Sequence, residues 1–249
     1  MNCILVPKNA KSISDAQQVT HIKEVLKAKV GDGLTIGEIG GCIGRATIAQ
    51  INTHEIMLED IVLDQKPPAK LDLTVVLALP RPKVLRRLIM DMTSLGVNRL
   101  IIVNSYRTQK SYWQSPLLER IDEFIFEGLQ QAIDTVPLEV AFQKRFKPFV
   151  EDEFQALLEG YEEAHAVIAH PYASQSWRAY LEGLKSKNSH ENSHKNSMPK
   201  ILCIGAEGGW IDYEVDLLCK HGCTSVSLGE RILRTETVVN VLLGSWLER

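Results

Sequence analysis

The apolar positions of this chain change their rhythm near residue 70. Before it they fall in short β-sized runs: Cys3–Val6, Gly33–Ile39, Ile43–Ile51 and Glu55–Leu63. Turn clusters at Gly31-Asp32-Gly33 and Gly40-Gly41 punctuate those runs. One stretch differs, Val19–Lys29, where Ile22, Val25 and Leu26 recur at helical spacing before Gly31. Many short strands and one small helix predict a compact β-barrel module over residues 1–67. Gln65–Lys70, polar and stiffened by Pro67 and Pro68, then reads as a linker at a domain boundary.

From residue 71 to 249 strands and helices alternate. Leu71–Leu79 reads as a buried strand, and Pro82 suits the first turn of a helix Lys83–Leu95 that Gly96 closes. Leu100–Val103 is the next strand. Pro116–Ala132 follows as a helix with Leu117, Leu118, Ile121, Phe124, Ile125 and Leu129 on its apolar face. Further strands are predicted at Leu138–Phe142, Ala166–Ala169, Ile201–Gly205 and Ser225–Leu228. Continuous apolar strands between helices predict an α/β domain, a parallel sheet with helices on both faces. Ser186–Ser197 holds no apolar residue, so the insertion 186–198 is expected to be a disordered surface loop.

Composition narrows the class. Hydrophobic residues make up 45% and charged residues 24%, ordinary for a soluble globular protein. No apolar run reaches spanning length and the first residues lack signal-peptide features, so a cytoplasmic protein without membrane contact is expected. Five cysteines without framework spacing fit reduced thiols. Cys219, His221 and Cys223 lack a second ligand pair, so no metal is expected. Cys219 is expected to face the core at a helix end and Cys223 to begin a strand. The net charge of −3 is unevenly spread: residues 71–120 carry eight basic and three acidic side chains, whereas 121–249 are acidic by eight. A face binding a polyanion would draw on that middle stretch.

Two glycine-bearing loops near the C-terminus carry the candidate chemistry. In the first, Gly205 ends a strand, and Gly208 and Gly209 allow φ > 0 and close ligand approach. Asp212 is the expected N-cap of the following helix, with Glu214 in its first turn. That acidic start, with Glu207 in the loop, argues against a phosphate. A cationic or zwitterionic ligand held by backbone groups suits the loop, as does an ordinary strand-to-helix turn. In the second loop Arg231, Arg234 and Glu236 interleave with Ile232 and Leu233, which can wall a flat apolar ligand. Thr235 or Thr237 can cap a helix Val238–Trp246. The bland alternative is a pair of solvated arginines beside a core leucine.

Arg81, Lys83, Arg86 and Arg87 crowd a helix start, against the macrodipole, which suits phosphate contacts or a merely solvated face. Arg107 and Lys110 sit among Tyr112 and Trp113, a mixture that suits unstacked bases. His170-Pro171 occupies another strand end, in a catalytic or a structural role.

The runs Ile204-Gly205-Ala206-Glu207-Gly208-Gly209 and Leu228–Thr237 resemble the signature loops of the bacterial 16S rRNA uridine-N3 methyltransferases, a family within the SPOUT superfamily. His170-Pro171 with Ala173-Ser174 is similar to the third cofactor-side motif. His21-Ile22, Val25-Leu26 and Gly31-Asp32 resemble the family's PUA-like, RNA-binding barrel. The resemblance covers nearly the whole chain. It implies a C-terminal SPOUT-type trefoil-knot domain, a topology no spacing argument would propose, and a homodimer formed through the knot. It also implies S-adenosylmethionine, held by Ala169, His170, Pro171, Ile204, Gly205, Glu207, Gly208, Gly209, Leu228, Gly229, Ile232, Leu233 and Thr237. Arg234, Arg231 and Glu207 become the implied catalytic groups. Arg81, Lys83, Arg86, Arg87, Arg107 and Lys110 become the implied contacts to ribosomal RNA or the small subunit. The chain departs from the family in having Ala206 for proline, Asp91 and Ser94 where lysine and glutamate are usual, and only Gln130 or Gln131 of a Glu-Gln near the end of the long helix.

Overall fold

Alternating short strands in the first seventy residues pair into a mixed sheet in the computed structural model, which describes residues 2–159, 161, 165–188 and 198–247. Most of the insertion expected to be disordered, residues 189–197, lies outside the described residues. The sheet contains β1 (Ile4–Val6), β2 (Ser12–Ile13), β3 (Gly33–Glu38), β4 (Ile43–Ile51) and β5 (Ile56–Gln65), in the order β1-β3-β4-β5-β2. β1 and β3 run parallel and the other pairs antiparallel. Ile13, Val19, Ile22, Ile36, Ile48 and Ile56 fill its core. Gly44 sits at a register shift between β4 and β5, where a Cβ would meet the Val62 carbonyl oxygen at 1.8 Å, so no other residue fits.

The helix predicted over Val19–Lys29 begins earlier, as α1 (Ala16–Thr20), because Asp15 Oδ1 accepts the Gln18 N–H at 2.9 Å. It continues through one π turn, His21–Val25, and Lys27 then takes φ +51°. Only Val19 and Ile22 reach the core. Val25 and Leu26, expected on the apolar face, are exposed.

The chain continues through β6 (Leu71–Ala78), α2 (Pro82–Ser94), β7 (Val97–Val103), α3 (Ile121–Ala132), β8 (Glu139–Gln143) and α4 (Phe146–Pro148). It ends with β9 (Ala166–Ala169), α5 (Trp177–Asn188), β10 (Ile201–Ile204), α6 (Asp212–Lys220), β11 (Cys223–Val226) and α7 (Thr235–Leu247). The long helix predicted from Pro116 is divided. A 3₁₀ turn, Pro116–Arg120, precedes α3, with Arg120 at φ −109° and ψ 18° between them.

β6 to β11 form a six-stranded sheet of order β11-β9-β10-β6-β7-β8, every pair parallel, as the continuous apolar strands require. Val76, Ile101, Ile168 and Cys203 pack with Phe149, Phe154, Trp210 and Leu218 in one core. Loss of a ring as buried as Phe154 costs about 3–5 kcal/mol. Cys223 begins β11 as expected, but Cys219, on the other side of His221, is exposed rather than core-facing.

Two compact units result. One comprises Met1–Lys70, Ile89–Gly96 and Arg120–Leu138, and the other Leu71–Leu88, Val97–Glu119 and Glu139–Arg249. Hydrogen bonds explain why α3 groups with the first unit. The Gln130 carbonyl accepts the Asn2 and Cys3 N–H groups at 2.9 and 3.1 Å, and the Gln130 side chain accepts from Gln18 at 3.2 Å. Lys70 and Asp134 form a buried ion pair at 2.9 Å. The three strand-end loops described next belong to the second unit.

Candidate active site

Parallel strands place their following loops at one end of the sheet, which is where such folds bind ligands. The loop after β10 is the most constrained of them. Gly209 takes φ +68° and donates its N–H to the Ala206 carbonyl at 2.8 Å. A Cβ on Gly205 would lie 3.0 Å from Gly209 Cα, so the turn is closed backbone against backbone. Trp210, almost fully buried, packs its ring 5.6 Å from that of Phe146 and fixes the loop's far end.

Three neighbours hold this loop from outside. Arg107, in the loop after β7, donates from Nη1 to the Gly208 carbonyl at 2.5 Å. The main-chain N–H of Arg81 donates to Glu207 Oε1 at 3.0 Å. Glu214 is buried and accepts two backbone N–H groups, Ile211 at 3.0 Å and Tyr106 at 2.8 Å. Asp212 is therefore not the N-cap. Ile211 holds that place and Glu214, three residues on, reaches back to its N–H.

The loop after β11 is held chiefly at its ends. Ser227 N–H donates to the Gln175 carbonyl at 2.9 Å, and Thr235 Oγ1 to the Gly205 carbonyl at 3.3 Å. Between these ties Gly229 takes φ +102°. α7 starts three residues earlier than the predicted Val238, so Thr235 belongs to the helix and ties the two loops, while Thr237 is exposed. Glu236 in its first turn pairs with Arg87 at 2.7 Å. Its own backbone N–H chiefly holds the Glu236 carboxyl below the usual range; burial opposes this, and Arg87 adds to the lowering.

The third loop follows β9. His170 donates its N–H to the Val226 carbonyl at 2.9 Å and accepts from Ala173 N–H at 3.1 Å, which sets the turn. Burial lowers the pKa of the imidazole, opposed in part by Asp212, so the ring is neutral at pH 7. Its Nδ1 is buried with no hydrogen-bond partner among the described residues. The ring of Tyr172 meets it edge to face at 5.6 Å.

A cavity of about 240 Å³ opens between the three loops. Ala169, His170 and Pro171 line one side, and Ile204 through Trp210 another. Leu228, Arg231, Ile232 and Leu233 close the third. Three residues expected at the site, Gly229, Arg234 and Thr237, are not among its lining. Arg107, expected on the RNA side, does line it, with Tyr172, Ala206, Thr235 and Val238. Arg107 could not be placed from sequence, since its reach to Gly208 crosses 101 positions. Thr235 had a signal, because its hydroxyl is the first at the start of α7.

The other residues expected on the RNA side, Arg81, Lys83, Arg86, Arg87 and Lys110, are exposed. Arg87 spends its charge on Glu236. Two of the family departures are internal here. Ser94 Oγ donates to the Gly128 carbonyl at 3.1 Å, and Gln130 is buried.

The cavity fits a methyl donor bearing a sulfonium and an adenine. Its imidazole is uncharged, its glycine loop presents main-chain groups, and Leu228, Ile232 and Leu233 offer apolar faces. No helix among the described residues is long and apolar enough to cross a membrane.

The chain is similar to known proteins in sequence and in fold. The chain is 27% identical over 220 residues to ribosomal RNA small subunit methyltransferase E of Treponema pallidum, covering 87% of this chain and 77% of that one. Its counterpart in Synechocystis is 28% identical over 228 residues, covering 91% and 69%. Among solved structures, a Legionella pneumophila methyltransferase with bound S-adenosylmethionine superposes with TM-score 0.72 at 20% identity, covering 99% and 96%. Ribosomal RNA small subunit methyltransferase E of Neisseria gonorrhoeae, also bound to S-adenosylmethionine, gives 0.69 at 18% identity, covering 98% and 96%. The fold class is thus the expected one, a parallel-sheet α/β domain flanked by helices together with a small mixed β-sheet, shared with these structures. The model of the RNA methyltransferase domain matches residues 67–247, the whole of the parallel sheet and its three loops, and this chain belongs to that family.

Proposed function

We propose that this protein methylates N3 of a uridine in 16S ribosomal RNA, with S-adenosylmethionine as the methyl donor. The observation that carries the reading is the convergence of three strand-end loops on one cavity with a neutral imidazole, a glycine-built wall and an apolar wall. Relatives that this chain covers to 77% and 69% of their length are small subunit ribosomal RNA methyltransferases by name, and two superposable structures hold the donor.

Ile232 and Leu233 would offer the adenine apolar surface, and the main chain of Gly205–Gly209 would take its polar edge. When bound, the donor supplies an electrophilic methyl group on a sulfonium. Attack requires the N3 proton of uracil to leave as the N3–carbon bond forms and the carbon–sulfur bond breaks, giving S-adenosylhomocysteine. Negative charge then develops over N3 and the flanking carbonyl oxygens. Arg231 lines the cavity and is the group to stabilise that charge. Glu207 is the carboxylate available as base; Oε1 already accepts the Arg81 N–H, so the proton goes to Oε2. Arg234, exposed beside the lining, takes a phosphate with Arg81, Lys83, Arg86 and Lys110. The protein acts as a homodimer in the cytoplasm.

A second reading, the same chemistry on another nucleotide, draws support from Ser94 and Gln130, which are committed to internal hydrogen bonds. One experiment tests both. Purified protein is incubated with labelled S-adenosylmethionine and small subunits lacking the modification, and the labelled nucleotide is mapped. Label at uridine N3 supports the first reading, label elsewhere the second, and no label in RNA sinks both. Arg231→Ala should lower kcat by about 100-fold, as loss of a charge-stabilising donor does, with cofactor affinity nearly intact.

A further inference from the structure

N3 lies on the pairing edge of uracil, so a methylated uridine must first leave its pair and its stack. An unstacked base is stable on a protein only where something replaces the π-faces it lost, and exposed aromatic rings do this. Tyr106 is 80% exposed, Tyr172 76% and Ile232 72%, the three most exposed large apolar side chains among the described residues. All three belong to the loops around one cavity. Tyr172 and Ile232 line it, and Tyr106 adjoins Arg107, which also lines it. Chance placement of solvated side chains would scatter them over the surface.

Both tyrosines stand on fixed supports. The Tyr106 N–H is held at 2.8 Å by the buried Glu214, and the next residue, Arg107, is anchored to Gly208. Tyr172 rests edge to face on His170, whose backbone is tied to Val226. A ring presented to solvent on an immobile backbone loses little entropy when a base covers it. Lys110, exposed in the same loop as Tyr106, supplies positive charge for the adjoining phosphate.

We propose that Tyr172 and Tyr106 form the stacking surface for the extruded target nucleotide and its neighbour, so the protein selects unpaired RNA over duplex. This rests on the methyltransferase reading above and adds the two side chains that receive the substrate.

The test measures affinity of the full-length protein for a uridine-containing single-stranded oligoribonucleotide, with saturating S-adenosylhomocysteine, for Tyr106→Ala, Tyr172→Ala and the two Phe variants. The same oligoribonucleotide in a perfect duplex is the control, and S-adenosylhomocysteine affinity is measured by calorimetry on each variant. Each Ala change should weaken single-strand binding by about tenfold, the usual worth of one base–aromatic stack. Each Phe change should stay within about twofold of the parent, since the ring remains. Duplex binding should not move, and neither should cofactor affinity in Tyr106→Ala, whose side chain is not among the cavity lining. Ala variants that bind the single strand as tightly as the parent overturn the proposal. So do Phe variants as weak as Ala, or a parallel loss of cofactor affinity in Tyr106→Ala. A parent protein that binds the cofactor but no RNA of either form overturns the RNA reading itself, a result the variants cannot mimic.

Discussion

The loops after β10 and β11 form two walls of the same cavity and are built in opposite ways. The first is closed on itself through Gly209 and Ala206 and held by Arg107, Arg81 and, through Ile211, Glu214. The second is tied at Ser227 and Thr235, with Ile232 left 72% exposed between those ties. The difference separates two tasks. A wall that offers main-chain hydrogen bonds must hold its groups in place before the ligand arrives, since a buried amide without its partner costs about 1–3 kcal/mol. A wall that offers apolar surface gains only when the ligand covers it.

Three measurements can break or sharpen that contrast. The largest effect belongs to the rigid loop. In Gly205→Ala the new methyl would stand 3.0–3.2 Å from backbone atoms of Gly209 and Trp210, in a loop whose hydrogen bonds leave it nowhere to move. Cofactor affinity by calorimetry should fall roughly 30-fold, about 2 kcal/mol. An unchanged affinity would show that this wall adapts after all.

The second loop predicts a smaller and differently distributed effect. Ile232→Ser removes apolar surface that is already in water, so the urea midpoint should not move. Cofactor affinity should drop about fivefold, in line with roughly 1 kcal/mol of forfeited burial. A loss of stability equal to the loss of affinity would mean Ile232 is part of the fold.

The smallest effect concerns the start of α7, where the second loop ends. Glu236 has its carboxyl depressed below 4.5 by its backbone N–H and Arg87. A depressed carboxyl stabilises the folded state above its unfolded pKa, and that contribution disappears as pH falls through the lowered value. Glu236→Gln should therefore flatten the stability profile below about pH 4.5. The change should stay under about 1 kcal/mol, because Arg87 lies mostly in water and salt screens the pair. An equal slope in both proteins below that pH would remove Glu236 from the account.

Much of the parallel sheet was legible because its strands are buried on both faces. Ala166–Ala169 and the start of β10 matched their apolar runs, and in the mixed sheet Ile43–Ile51 matched its predicted run after Gly40-Gly41. Elements set by single hydrogen bonds were not legible. The Asp15 cap advanced α1 by three residues, two-residue β2 lies below any periodicity, and Arg120 interrupted what reads as one helix from Pro116. In the site, the glycine and histidine loops were legible because their residue types are unusual at strand ends. Glu214 was legible only as a first-turn acid, and its second acceptor role depends on Tyr106, 108 positions away.

Residue order alone determined where strands end, which turns need glycine and which stretch carries surplus positive charge, since each depends on neighbours within a few positions. Tertiary structure alone decided that Arg107 joins the cavity while Arg234 and Thr237 do not, and that Arg87 is matched by Glu236. The physical reason is range. Local sterics and burial patterns act within one turn or strand, whereas a side chain's final partner is fixed by strand order, which brings β9, β10 and β11 together from across sixty positions.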